Sequence, residues 1–214
     1  MNGSKRIDFD INDFLDIDVP KDLPSGASYE YYSGLKNREI WLDTDVDVEA
    51  GTLIFIKQII RWNREDLGKP IEERKPIFLY CFSFGGDLDI CNSIIDTIEC
   101  SNTPVYTVNV GRCMSAAAYI YLAGKKRYAF SKSYFLFHQG SGSLTGNYSE
   151  VDSQMEDYKK KVSALTGLMK KYTSYTEKEI QKNIKKEWYV SSQEALGNGV
   201  CDKIVENLDE LLRG

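Results

Sequence analysis

From residue 39 onward the chain alternates short apolar runs with segments of helical period. Residues 77–82, IFLYCF, carry no polar break, the pattern of a parallel strand covered on both faces. Glu39–Leu42, Val105–Val110, Arg127–Phe130 and Tyr134–His138 read as further strands. Between them, Val48 to about Arg64 carries Leu53, Ile56, Ile60 and apolar neighbours, which predicts a mostly buried helix. Leu88–Ile98 and Ser115–Ala123 predict two more, and the polar stretch 63–75, NREDLGKPIEERK, reads as a connection. Strands alternating with helices imply right-handed βαβ crossovers and an α/β domain with a largely parallel sheet. Such sheets hold their chemistry beyond the carboxyl ends of the strands. Gly85-Gly86, Gly111–Ser115 and the glycine-rich run after His138 all fall there.

The segment after Tyr148 has a different rhythm. Val151, Met155, Tyr158, Val162, Leu165, Met169 and Tyr172 are spaced 4, 3, 4, 3, 4, 3, a heptad-like seam. Glu150, Asp152, Glu156 and Asp157 precede Lys159–Lys161, Lys170 and Lys171, which suits the dipole of one long helix. So narrow a stripe seeks a partner helix, and a helix lying on its own domain satisfies the same period. Neither an internal repeat nor a Gly/Ser-rich linker divides the chain, so residues 28–214 read as one domain. Residues 1–27 form an acidic arm carrying Asp8, Asp10, Asp13, Asp16, Asp18 and Asp22, either mobile or a docking segment.

Composition narrows the classes. With 214 residues, 42% hydrophobic and 28% charged, the chain is globular, and Lys+Arg 27 against Asp+Glu 32 speaks against a nucleic-acid partner. The five cysteines, Cys81, Cys91, Cys100, Cys113 and Cys201, are odd in number and form no C-x-x-C pair. Most lie in apolar segments, which suggests small buried hydrophobes in a reducing, cytoplasmic compartment. The N-terminus lacks the apolar stretch of a signal peptide, and with no run of 18 apolar residues, no membrane partner is expected.

Three features carry candidate chemistry. Ser115 stands where a strand gives way to a helix, either as an N-cap or as a nucleophile, and Ala116–Ala118 lets that helix pack closely. His138 is the only histidine, so it is either the base such a serine needs or a satisfied core residue. Gly85-Gly86 is either a strand-to-helix turn or a pair of amides aimed at an oxyanion.

Four motifs in order make a combination more specific than its parts: FSFGGDLDICNSIID, GRCMSAAAYIYLAG, YFLFHQGSGSLTGN and KEWYVSSQEALGNGVCDKI. Together with YEYYSGLKNREIWLDTDVD upstream, they resemble the proteolytic subunits of ATP-dependent Clp proteases over roughly residues 28 to 207. The resemblance implies a Clp-protease/crotonase-like fold of repeated βαβ units with a protruding handle helix at about residues 149–172. It implies a serine endopeptidase with Ser115 as nucleophile, His138 as general base and Gly86 with Ala116 as oxyanion hole. Segment 139–143, with Gln139, Gly140, Ser141 and Gly142, would pair with substrate as an added strand. Tyr80 matches an aromatic position where the Clp-type ATPase docks. The expected assembly is a homo-oligomeric tetradecamer of two stacked heptameric rings enclosing unfolded polypeptide. No metal or cofactor is expected, and ATP would be spent by the partner, since G-x-x-x-x-G-K-[ST] is absent.

The departures matter as much. Glu187 stands where the family carries its third catalytic residue, an aspartate, and would orient the imidazole or else be an exposed glutamate in a basic stretch. Phe84 replaces a usual proline before Gly-Gly, and Gly140-Ser141 replaces Pro-Leu. The loop at 123–126 is shorter and the 63–75 connection longer. Rival readings are a catalytically silent scaffold subunit of a mixed ring, a viral capsid-maturation peptidase of the same fold, and an acyl-CoA enzyme of crotonase type.

Overall fold

The computed structural model describes residues 26–212, and side chains from residue 31 onward. The acidic arm therefore lies, but for its last two residues, outside the described residues. Seven strands form one sheet: β1 (Glu39–Leu42), β2 (Ile77–Ser83), β3 (Val105–Met114), β4 (Lys126–Phe130), β5 (Tyr134–Phe137), β6 (Trp188–Ser191) and β7 (Lys203–Val205). The order is β1-β2-β3-β4-β7, and every pairing is parallel except that of β5 with β6.

β3 is the pivot. Its first half, Tyr106–Asn109, pairs with β4, whereas Arg112–Met114 pairs with β5, so the sheet forks at the end that carries the site. Against β2 the register slips there: Cys81 faces Asn109 while Ser83 faces Cys113, a bulge that leaves three β3 residues opposite Phe82. The sequence ends this strand at Val110, with Gly111 beyond it, but the strand continues to Met114. Gly111 is instead a point of close approach, since a Cβ there would meet the Phe82 ring at 2.7 Å.

The continuous apolar run of β2 has a simple cause, burial on both sides. Ile77, Leu79 and Cys81 face the main core with α3 (Leu88–Glu99) and α4 (Ala116–Leu122). Phe78 and Tyr80 face a second cluster with Val108, Tyr128 and Leu211, the last from α8 (Leu208–Leu212). All of α4 is buried, and three alanines at its start let it sit close on the strands. α2 (Leu53–Glu65) is one-sided rather than mostly buried: Phe55, Gln58, Ile59 and Trp62 face inward, but Ile60 is half exposed. It begins at Leu53 because residues 48–52 form turns, in which the Thr52 hydroxyl donates to Asp47 O. Within the 63–75 connection, buried Asp66 accepts from Arg38, Lys69 and Thr103, and the Arg38 guanidinium holds its carboxyl far below the usual range. Cys81, Cys91, Cys113 and Cys201 are buried, but Cys100 caps α3 in solvent, because it sits just past the last packed turn.

α5 spans Tyr148–Tyr172 and opens with a capping box of Asn147 and Glu150. Its seam meets two environments. Leu165 and Met169 are buried in the main core, where α5 lies against α4 and α6 (Glu177–Asn183). Met155 is exposed and Val151 only partly covered. Lys161 marks the change, tied to Asp89 of α3 at 2.7 Å. Among the described residues no helix is long and apolar enough to cross a membrane.

Candidate active site

Ser115 occupies the elbow between β3 and α4. Its backbone has φ 52° and ψ −128°, a conformation that L-residues rarely adopt. The strain is fixed from both sides, since Ser115 N–H donates to Leu136 O at 2.8 Å while Ser115 O accepts from Ala118 N–H at 2.9 Å. The residue stands at the N-cap position, yet its side chain caps nothing. Its Oγ lies 2.6 Å from Nε2 of His138. With the ring proton on Nδ1, the hydroxyl donates to Nε2, the arrangement for removing that proton.

His138 follows β5 and is partly buried. Tyr119, in the middle of α4, donates its hydroxyl to His138 O at 3.1 Å, and burial pushes that hydroxyl far up in pKa, so it remains a donor. The imidazole pKa is lowered, chiefly by desolvation, and the negative charge of Glu187 opposes the shift. A neutral imidazole is what a general base requires.

Glu187 lies across the β5–β6 pair. Phe137 pairs with Trp188 at the end of that antiparallel register, and His138 and Glu187 are the residues just beyond the two paired strand ends. The carboxylate is exposed, and its Oε2 accepts from the Tyr189 hydroxyl at 3.0 Å. Among the described residues, no hydrogen bond joins it to the imidazole. Tyr189 was not singled out in the sequence; only the i, i+2 spacing on one strand face could have suggested it.

Gly85 presses against the elbow and Gly86 against Val46. Gly85 has φ 101°, and a Cβ there would stand 2.6 to 2.8 Å from Met114 O, Ser115 Cβ and Ala116 N. Val46 N–H donates to Gly85 O and Asp87 N–H donates to Val46 O, both at 2.8 Å, making a parallel bridge that involves Gly86. In such a bridge the intervening residue directs its own N–H to the opposite side, here away from Val46. Ala116 is the first residue of α4, where amides lack intrahelical acceptors. The amide of Ala116, which follows the serine, and that of Gly86, which follows Gly85, are the candidate oxyanion donors.

Gln139 is already engaged, which distinguishes it from its neighbours. Its N–H donates to Ile184 O at 2.8 Å and its carbonyl accepts from the Tyr158 hydroxyl of α5 at 2.7 Å. Gly140 turns the chain with φ 88°, and Ser141 and Gly142 are exposed. Tyr80 lies elsewhere, on the face of β2 away from α3 and α4. It is only 6% exposed and stacks on the half-exposed Trp41 with ring centroids 4.5 Å apart.

A strained serine at a strand-to-helix elbow, its hydroxyl on an imidazole and amides beside it, is the constellation of a serine hydrolase. Comparison with known proteins agrees. The Clp protease family model matches residues 25–208. The chain is 31% identical over 196 residues to an ATP-dependent Clp protease proteolytic subunit 2 of Bifidobacterium longum, covering 89% of this chain and 90% of the relative. It is 28% identical over 179 residues to a subunit 2 of Treponema denticola (83% and 86%). With the Deinococcus radiodurans proteolytic subunit the identity is 28% over 186 residues (86% and 88%). The chain belongs to the Clp protease family, a family of serine peptidases.

Proposed function

We propose that this chain is the peptide-hydrolysing subunit of an ATP-dependent Clp-type protease and that it acts on unfolded polypeptides. The observation that carries the reading is the 2.6 Å contact between Ser115 Oγ and His138 Nε2 at a strained elbow. Ser115 attacks the peptide carbonyl as His138 takes its proton, forming a tetrahedral oxyanion held by the Gly86 and Ala116 amides. His138 returns that proton to the leaving amine, and water then hydrolyses the acyl-serine by the same route. Glu187 stabilises the imidazolium through its charge, as its effect on the His138 pKa supports. Substrate lies along Gly140–Gly142, whose backbone is less committed than that of Gln139.

The same reading includes cytoplasmic localisation, assembly into two stacked heptameric rings joined through the exposed first half of α5, and docking of a Clp-type ATPase on the aromatic face around Tyr80. It is tested by treating the purified protein with a fluorophosphonate and mapping the modified peptide. Label on Ser115 that vanishes in His138→Ala supports it. One observation favours a second reading, a catalytically silent scaffold subunit: the Glu187 carboxylate is bonded to Tyr189 instead of to the imidazole. Assembled rings that take up no label select that reading.

A further inference from the structure

The sheet face that carries His138 also carries a cation without an anion. On β5, Phe135 and Phe137 point into the main core, so Tyr134, Leu136 and, one residue beyond the strand, His138 share the opposite face. Arg112 of β3 pairs with Tyr134, while its neighbour Cys113 is in the core, so Arg112 belongs to the His138 face. The bulge opposite Phe82 carries its guanidinium between two rings, 4.7 Å from the centroid of Phe82 and 4.6 Å from that of Phe84. Phe84 is the aromatic that departs from the usual proline immediately before Gly85-Gly86, and it is 59% exposed.

The rings cover the faces of the guanidinium but accept no in-plane hydrogen bond. Nε is buried with no acceptor, and among the described residues no carboxylate forms an ion pair with Arg112. Glu187 is on the same face, but its Oε2 is taken by Tyr189. A half-buried guanidinium, packed against two rings and without a carboxylate, favours a planar, bidentate anion. Position gives the scale. From Tyr134 to His138 is four residues of extended chain, about 13 Å at roughly 3.3 Å per residue. A substrate strand of the same rise spans that distance with about four residues.

We propose that Arg112, clamped by Phe82 and Phe84, is a specificity-determining residue that binds a peptide carboxylate within about four residues of the scissile bond. The carboxylate comes from an acidic side chain or from the C-terminus of a short peptide. The inference rests on the proteolytic reading and adds a substrate preference to it.

The test uses quenched-fluorescence peptides that differ only by Glu or Gln at one position within four residues of the cleaved bond, and by a free acid or amide at the C-terminus. In the wild-type protein, kcat/KM for the carboxylate form exceeds that of its neutral twin by about tenfold at one position, the scale of a charge-assisted hydrogen bond. In Arg112→Gln the ratio falls to about one, and Arg112→Lys, a point charge without the fork, is intermediate. Collapse of the Glu/Gln ratio assigns the side chain as the source, and collapse of the acid/amide ratio assigns the terminus. A ratio that survives in Arg112→Gln overturns the proposal. So does a ratio that survives while the assembled mass falls, which assigns the guanidinium to contact between copies of the chain. Failure of the proteolytic reading is distinct, since neither peptide is then cleaved and Ser115 takes no fluorophosphonate. Fluorescent versions of the same peptides then report binding: a tenfold affinity ratio lost in Arg112→Gln upholds the carboxylate site, and equal affinities overturn it.

Discussion

His138 stands between two regions built in different ways. On one side, the β3–α4 elbow is set in the core: α4 is wholly buried, Ser115 is bonded through its backbone to β5, and Gly85 leaves no room for a side chain. On the other, Glu187 lies exposed just before β6, with Tyr189 as its hydrogen-bond donor. The contrast teaches which part of the site is held by packing and which by a single polar contact. Strain such as that at Ser115 costs on the order of 1–3 kcal/mol and persists only where surroundings over-determine it. A carboxylate in water needs no such enclosure and is free to change partners.

The largest effect that sharpens this contrast belongs to the enclosed side. Ser115→Ala lowers kcat by about 10⁴-fold or more, read on a fluorogenic peptide against unchanged thermal unfolding. A small loss would place the nucleophile elsewhere. Gly86→Ala puts a methyl group against Val46 at φ 150° and displaces the proposed oxyanion donor, so kcat falls by about 10²-fold. Equal loss in KM alone would mean that the amide serves substrate binding only.

Glu187→Gln, on the open side, lowers kcat by about tenfold, far less than the loss when an orienting carboxylate is bonded to its imidazole. A loss as deep as that of Ser115→Ala breaks the comparison. The same variant has a pH signature. Glu187 raises the His138 pKa against a larger desolvation effect, so removing its charge lets that pKa fall. The base works when neutral, and the acid limb of the kcat/KM profile moves to lower pH. A limb that stays put shows that the charge does not reach the ring. Smallest of all, Tyr189→Phe removes the donor that holds Glu187, and kcat rises about two- to fivefold, the lower end of the net worth of one hydrogen bond, as suits a contact exposed to water.

Much of the architecture was legible in the chain. The run 77–82 becomes β2 because burial on both faces demands an unbroken apolar strand. Gly111 was misleading: a glycine can mark a turn or make room for a ring, and only Phe82, across a bulge, decides which. α2 was read as more buried than it is, because apolar residues such as Ile60 also stand in solvent. The seam of α5 shows why periodicity leaves the partner open, as Met169 and Met155 occupy equivalent positions two heptads apart and only Met169 is covered. Ser115 and His138 could be named as candidates from residue type, scarcity and motif order. Tyr119, Tyr158, Tyr189 and the Arg112 clamp could not, since each acts on a group brought near by folding.

Local physical chemistry thus decided the alternating strands and helices, the long capped helix, the elbow's small residues and the single available imidazole, because each depends on neighbours within a few positions. Tertiary structure alone decided that β3 forks toward β5, that the Ser115 hydroxyl reaches Nε2 across 23 residues of sequence, and that Glu187 turns to Tyr189. Contacts between distant segments depend on register and packing of the whole sheet, which no local pattern encodes.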